Sequence, residues 1–178
     1  RPRAADEAAA FRHVFIAERD VAKIERIDGV AARPVARFGV VGAGTMGAGI
    51  AVAAVDAGFA VTVVEMNDDA LARGRERIDG IWARSVKSGR LTGAGKAEKL
   101  ARIRFAADLA AMADADLVVE AVYDDLGVKR DLFARLAGVV RPDCVLATNT
   151  SYLDPNAIGE GLPSPERLVG LHFFSPAN

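Results

Sequence analysis

Residues 37–65 read RFGVVGAGTMGAGIAVAAVDAGFAVTVVE, and the order of residue types here decides the fold. Phe38–Val41 is a continuous apolar run, the pattern of a strand buried on both faces. It ends in Gly-Ala-Gly, and a helix follows from Thr45 to Ala57, stopped by Gly58. Val61–Val64 is a second apolar run, closed by Glu65. Strand, glycine turn, helix and strand in about 30 residues form a βαβ unit.

Downstream the alternation continues. Asn67 or Asp68 caps a helix running to Lys87, Ser88-Gly89-Arg90 turns the chain, and Thr92 to Leu100 reads as a short helix. Ile103–Phe105, Leu117–Glu120, Val145–Thr148 and Leu168–Phe174 are strand candidates. Helices from Leu126 to Val140 and from Asp154 to Gly159 separate the later ones. Buried strands alternating with helices imply a parallel sheet with right-handed crossovers. The expected fold is α/β, a Rossmann-type doubly wound parallel sheet over residues 35–178, preceded by a linker helix and connector over residues 1–34. In that leading segment Phe11, Val14, Phe15, Val21 and Ile24 recur at helical spacing before Gly29 and Arg33-Pro34. Such a helix either packs on its own domain or connects it to an earlier part of a longer polypeptide.

Composition narrows the function. Among 178 residues, 51% are hydrophobic and 26% charged, enough for a sizeable core. With 23 Lys+Arg against 24 Asp+Glu, the formal net charge of −1 favours neither nucleic acid nor an anionic membrane surface as a partner. The single cysteine forms no internal disulfide, no metal-ligand cluster is readable, and no apolar stretch is long enough to span a membrane. Cys144 reads as a small buried hydrophobe and Trp82 as core.

Gly42-Ala43-Gly44-Thr45-Met46-Gly47 is G-x-G-x-x-G, placed where it has physical meaning, after a strand and opening a helix. Gly42 permits the tight turn, Gly44 lets a diphosphate approach the backbone, and Gly47 allows the helix to pack closely. Free N–H groups at this helix start, with the helix dipole, face the phosphates. Gly42, Gly44, Thr45, Met46, Gly47 and Glu65 are therefore the candidate cofactor contacts. Glu65, 18 residues beyond Gly47, stands where a carboxylate accepts from the adenosine ribose hydroxyls and repels a 2′-phosphate. NAD is the expected cofactor rather than NADP.

Further candidates sit at other strand ends: Glu120 after Leu117-Val118-Val119, Asn149-Thr150-Ser151 after Ala147-Thr148, and His172 in GLHFFSP. Singly, each has a plain structural explanation, a core histidine or a turn cap. Together, VGAGTMGAGIA from Val41, VVEAVYDDLGVKRDLF from Val118, ATNTSYLD from Ala147 and GLHFFSPAN from Gly170 resemble the NAD-binding domain of 3-hydroxyacyl-CoA dehydrogenases. The resemblance spans residues 37–178. It implies oxidation of an L-3-hydroxyacyl-CoA to the 3-ketoacyl-CoA in fatty-acid β-oxidation, with NAD as hydride acceptor. His172 would be the general base, Ser151 would hydrogen-bond the substrate oxygen, and Asn149 and Glu120 would lie beside the nicotinamide ribose. Lys87, Arg90, Lys96, Lys99, Arg102 and Arg104 form a basic stretch that reads as a solvated face; the alternative, which the resemblance implies, is that Lys87 or Arg90 meets the phosphates of CoA.

The leading FRHVFIAERDVAKIERIDG is similar to the linker helix of multifunctional enzymes that carry an enoyl-CoA hydratase/isomerase domain upstream. Two further expectations concern what lies outside the chain. The family's helical C-terminal domain, which usually mediates dimerisation, is not in this sequence. Nor is the glutamate twelve positions beyond the histidine that supports the imidazole, which would fall past Asn178. The chain is thus expected to hold NAD and to turn over poorly alone, the full protein being dimeric or part of a multienzyme complex. Ala-, Arg- and Gly-rich usage suggests a bacterial, cytoplasmic protein; a eukaryotic one would be peroxisomal or mitochondrial. Two other readings are a short-chain 3-hydroxybutyryl-CoA dehydrogenase and a non-catalytic NAD(H)-binding module.

Overall fold

The computed structural model describes residues 6–21, 23, 27 and 29–177. It divides into two compact units, residues 1–33 and 34–178. In the first, α1 spans Asp6–Asp20, and the Arg19 guanidinium lies 5.5 Å from the centre of the Phe15 ring. The helix is shorter than the apolar spacing predicts: Val21 leaves it, and Lys23 bonds back to Asp20 at 2.9 Å. Ile24, part of the expected apolar stripe, lies outside the described residues.

The second unit is a six-stranded, wholly parallel sheet in the order β3-β2-β1-β4-β5-β6. Its elements are β1 Arg37–Val41, α2 Thr45–Asp56, β2 Ala60–Val64, α3 Asp68–Lys87, α4 Gly93–Leu100 and β3 Ile103–Ala106. They continue with β4 Leu117–Glu120, α5 Leu126–Ala137, β5 Val145–Thr148, α6 Pro155–Gly159 and β6 Leu168–Gly170. The helix caps follow from local chemistry. Asn67, Thr92, Asp125 and Asp154 each accept a first-turn backbone N–H through the side chain.

Two apolar clusters cover the sheet's faces. One packs Ile50, Val52, Val55, Ile78 and Trp82 against Val40 and Val63; the other packs Leu132, Phe133 and Leu136 against Val118 and Leu146. Trp82 is core, as expected, with its indole N–H donating to Asp56 at 3.1 Å. Cys144 is fully buried, and burial pushes its thiol up to about 11.

One strand departs from expectation. The run Leu168–Phe174 is apolar apart from Gly170 and His172, yet β6 ends at Gly170. Its neighbour β5 ends at Thr148, so no regular ladder remains for residues 171–174 to join. The connection from β1 runs outward through β2 to β3, and the chain then returns to β4 on the other side of β1. That reversal opens a crevice beyond the C-terminal ends of β1 and β4, where sheets of this kind receive ligands.

Candidate active site

The glycine turn forms one wall of the crevice. Gly42 has φ +97°, and its N–H donates to Val64 C=O at 2.9 Å. A Cβ on Gly47 would overlap the Gly42 carbonyl, and one on Gly74 of α3 would overlap Ala43, so both helices lie directly against the turn. Gly44 differs, because a Cβ there would meet nothing within 4 Å. It also serves as the α2 N-cap with no side-chain hydrogen bond, so the N–H groups opening α2 are left for a ligand. Glu65, closing β2, accepts from Ala43 N–H and Met66 N–H, both at 3.0 Å. An uncapped helix start, open space at Gly44 and a carboxylate beside both fit the diphosphate and ribose of NAD.

At the next strand end stands Glu120, whose carboxylate is expected beside the nicotinamide ribose; the residue is 0% exposed. Both oxygens are used internally. Thr148 Oγ1 donates to one at 2.8 Å, while Val122 N–H, at 2.9 Å, and Lys129 Nζ donate to the other. A carboxylate cannot remain charged at this depth without such partners, and Lys129 reaches it from α5. Asn149 is half-buried, and its Oδ1 accepts from Phe173 N–H at 2.7 Å.

Those anchors set His172. Leu171 N–H donates to Thr148 C=O at 2.9 Å, and Phe173 N–H is held by Asn149, so His172 sits between two bonds to the end of β5. The histidine is exposed rather than part of the core. Its Nε2 lies 3.1 Å from Ser151 Oγ, within hydrogen-bond reach, and its ring stands 4.8 Å from that of Phe174. The tautomer with an unprotonated Nε2 accepts the serine hydroxyl proton there. Residues 21 apart in sequence thus form a hydroxyl–imidazole pair on the crevice rim.

The basic stretch after α3 is mostly occupied. Lys96 pairs with Asp79 at 2.7 Å, Lys99 with Asp56 at 2.6 Å, Arg102 donates to Gly58 C=O, and Arg90 to Ser88. A cleft of about 240 Å³ beside the turn is lined instead by Thr45, Arg77, Ile81 and Arg84 together with Ser175 and Pro176. These arginines escaped the sequence reading because they fall within a long helix with several other charges. A larger cavity of about 700 Å³, between Arg75, Asp79, Leu100 and Phe105, lies away from the strand-end rim. Among the described residues no group of three or more His, Cys, Asp or Glu is arranged to hold a metal, and no helix is long and apolar enough to cross a membrane.

Comparison with known proteins agrees with this geometry. Residues 37–178 match the family model described as "3-hydroxyacyl-CoA dehydrogenase, NAD binding domain". The chain is 37% identical over 177 residues to a peroxisomal bifunctional enzyme of Cavia porcellus, covering 97% of this chain and 24% of that protein. It is 43% identical over 141 residues to a 3-hydroxybutyryl-CoA dehydrogenase of Mycobacterium tuberculosis, covering 79% of this chain and 49% of that one. Among solved structures, the 3-hydroxybutyryl-CoA dehydrogenase of Escherichia coli K12 superposes with a TM-score of 0.78 at 41% identity, covering 82% of this chain and 31% of that chain. The chain therefore spans about a quarter of the multifunctional relatives it matches and about half of the Mycobacterium tuberculosis dehydrogenase. With its parallel sheet, glycine turn and matched motifs, this chain belongs to the 3-hydroxyacyl-CoA dehydrogenase family and carries that family's NAD-binding domain.

Proposed function

We propose that the domain serves an L-3-hydroxyacyl-CoA dehydrogenase of fatty-acid β-oxidation. The observation carrying this is the Ser151–His172 pair, 3.1 Å apart beside the cofactor crevice. NAD⁺, when bound, supplies the acceptor for the hydride leaving C3 of the substrate. His172 Nε2 takes the proton of the 3-hydroxyl, so the alcohol loses a hydride and a proton and becomes the ketone. Ser151 hydrogen-bonds the same oxygen, orienting it and steadying charge as it develops. Gly42, Gly44, Thr45, Met46 and Gly47 cradle the diphosphate, Glu65 accepts from the adenosine ribose, and Asn149 lies by the nicotinamide ribose.

One feature supports the multifunctional form. The multifunctional relatives align over 97% of the chain, including its leading helix, whereas the 3-hydroxybutyryl-CoA dehydrogenases align over 79%. In that form the partners are a 3-hydroxyacyl-CoA and neighbouring domains or a second copy. The compartment is the cytoplasm in a bacterium or the peroxisome in a eukaryote, as in the plant and animal relatives. A purely NAD-holding module would require neither Ser151 nor His172.

The test has two stages. Fluorescence titration of the chain is expected to give saturable NADH binding and much weaker NADPH binding; equal affinity for both would remove the role given to Glu65. In a chain extended to the length of the single dehydrogenases, His172→Ala should lower kcat by about 10²–10⁴-fold while leaving NADH affinity in place. Turnover unchanged by that substitution would overturn the proposed mechanism.

A further inference from the structure

Beneath the Ser151–His172 pair lies a buried ionic network that the mechanism above does not use. Glu120 and Lys129 are 0% and 1% exposed, and their charged groups are in direct contact. Lys129 Nζ also lies 3.4 Å from Asp124 Oδ1, and that oxygen accepts the Thr150 hydroxyl at 2.7 Å. Thr150 Oγ1 accepts in turn from Leu153 N–H at 3.1 Å, while the Tyr152 phenol donates to Asp124 C=O at 3.1 Å. On the other side, Thr148 Oγ1 donates to Glu120 at 2.8 Å and accepts from Thr150 N–H at 3.3 Å. The residues on both sides of Ser151 are thus tied to one assembly, and the Ser151 hydroxyl is left facing His172.

A buried ion pair is a poor way to gain stability, because removing two charges from water offsets most of their attraction. Such a pair is better suited to holding one arrangement among several. We propose that Glu120, Lys129, Asp124 and Thr150 are positioning residues that fix the 149–153 turn so that Ser151 Oγ meets His172 Nε2. The inference rests on reading Ser151 and His172 as the reacting pair. The ion pair joins the ends of β4 and α5, Asp124 carries that rigidity to Thr150, and Thr150 sets the backbone on which Ser151 stands. A displacement of about 1 Å at a reacting group costs on the order of 10² in rate, so a rigid foundation has a direct chemical use.

NMR of the whole chain labelled with ¹⁵N-histidine tests this. The sequence holds two histidines, and His172→Ala assigns the imidazole resonances. Ser151→Ala defines how far the His172 signals move when the hydroxyl is lost. Thr150→Val and the double variant Glu120→Gln/Lys129→Met are expected to move them most of that way. Thr150→Ser, which keeps the hydroxyl, should leave them at the wild-type position. The double variant removes both charges together and Thr150→Val preserves shape, so either can report if the other does not fold. Wild-type His172 signals in folded Thr150→Val or double variant would overturn the positioning role, and signals unmoved by Ser151→Ala would overturn the pairing beneath it. NADH titration of the unmodified chain reads the dehydrogenase assignment separately: displacements as expected with no NADH binding would sink that assignment and leave the positioning role standing.

Discussion

Gly44 and Gly47 lie within one turn and answer to different constraints. A Cβ at Gly47 meets backbone, the Gly42 carbonyl, which no rotamer change can relieve. Gly47→Ala is expected to destabilise the domain toward the upper end of the about 1–3 kcal/mol that overpacking costs, read from urea unfolding. A Cβ at Gly44 meets only open space, and the residue's φ of −67° suits alanine. Gly44→Ala should therefore keep the unfolding midpoint while weakening NADH binding by about tenfold or more, because the methyl occupies the diphosphate's approach. Unchanged NADH affinity in that variant would place the cofactor elsewhere. Cys144 makes a third residue-scale case: its buried thiol, pushed up to about 11, is mostly un-ionised at pH 8. Maleimide labelling at that pH should be negligible in the native chain and complete after unfolding.

At the scale of elements, α5 is fastened to the sheet by Lys129 as well as by Leu132, Phe133 and Leu136. Lys129→Met leaves the Glu120 carboxylate buried without its cation and should cost about 3–5 kcal/mol. The double variant Glu120→Gln/Lys129→Met leaves no such orphan and should recover most of that loss. Denaturant unfolding of both decides it, and a double variant as unstable as the single would mean that the pair is itself a major source of stability. The same element shows what packing adds to a residue type. A glutamate closing a strand reads as a ligand contact, and in the fold α5 also brings a lysine against its carboxylate.

Across the whole domain, the two ends of the sheet are organised differently. Away from the crevice, Asp116 accepts from Ala36 N–H at 2.9 Å, Arg37 N–H at 2.8 Å and Arg141 at 2.8 Å. Arg141 also donates to Asp114 C=O and accepts from Arg167 through its own carbonyl, so the starts of β1 and β4 and the approaches to β5 and β6 are tied together. The Arg37 backbone N–H, with Arg141 and Ala36 N–H, holds the Asp116 carboxyl well below the usual carboxylate range. Asp114 is lowered too, chiefly by its bond to the Arg37 side chain. A carboxylate depressed on folding contributes stability that is present above its unfolded value, about 3.9. That stability is lost as pH falls through the lower folded value. The domain should lose stability below about pH 4, and Asp116→Asn should weaken it at pH 7 while flattening the acid limb. An equally steep acid limb in the variant would assign acid sensitivity to other groups.

Much of this was legible in the chain itself. Leu117–Glu120 and Val145–Thr148 are strands where the apolar runs place them, α2 begins at Thr45, and Asn67 caps α3, because each pattern depends on neighbours within a few residues. The glycine spacing and Glu65 were readable for the same reason, both belonging to one βαβ unit. Packing decided the rest. The largely apolar stretch Leu168–Phe174 cannot announce that its partner strand ends at Thr148, and so that His172 leaves the sheet. Nor can spacing show that Lys129 neutralises Glu120, or that Ser151 and His172 close to 3.1 Å. Periodicity records which face of an element is apolar, whereas a meeting of charges or hydroxyls depends on which strands lie side by side and where each one stops.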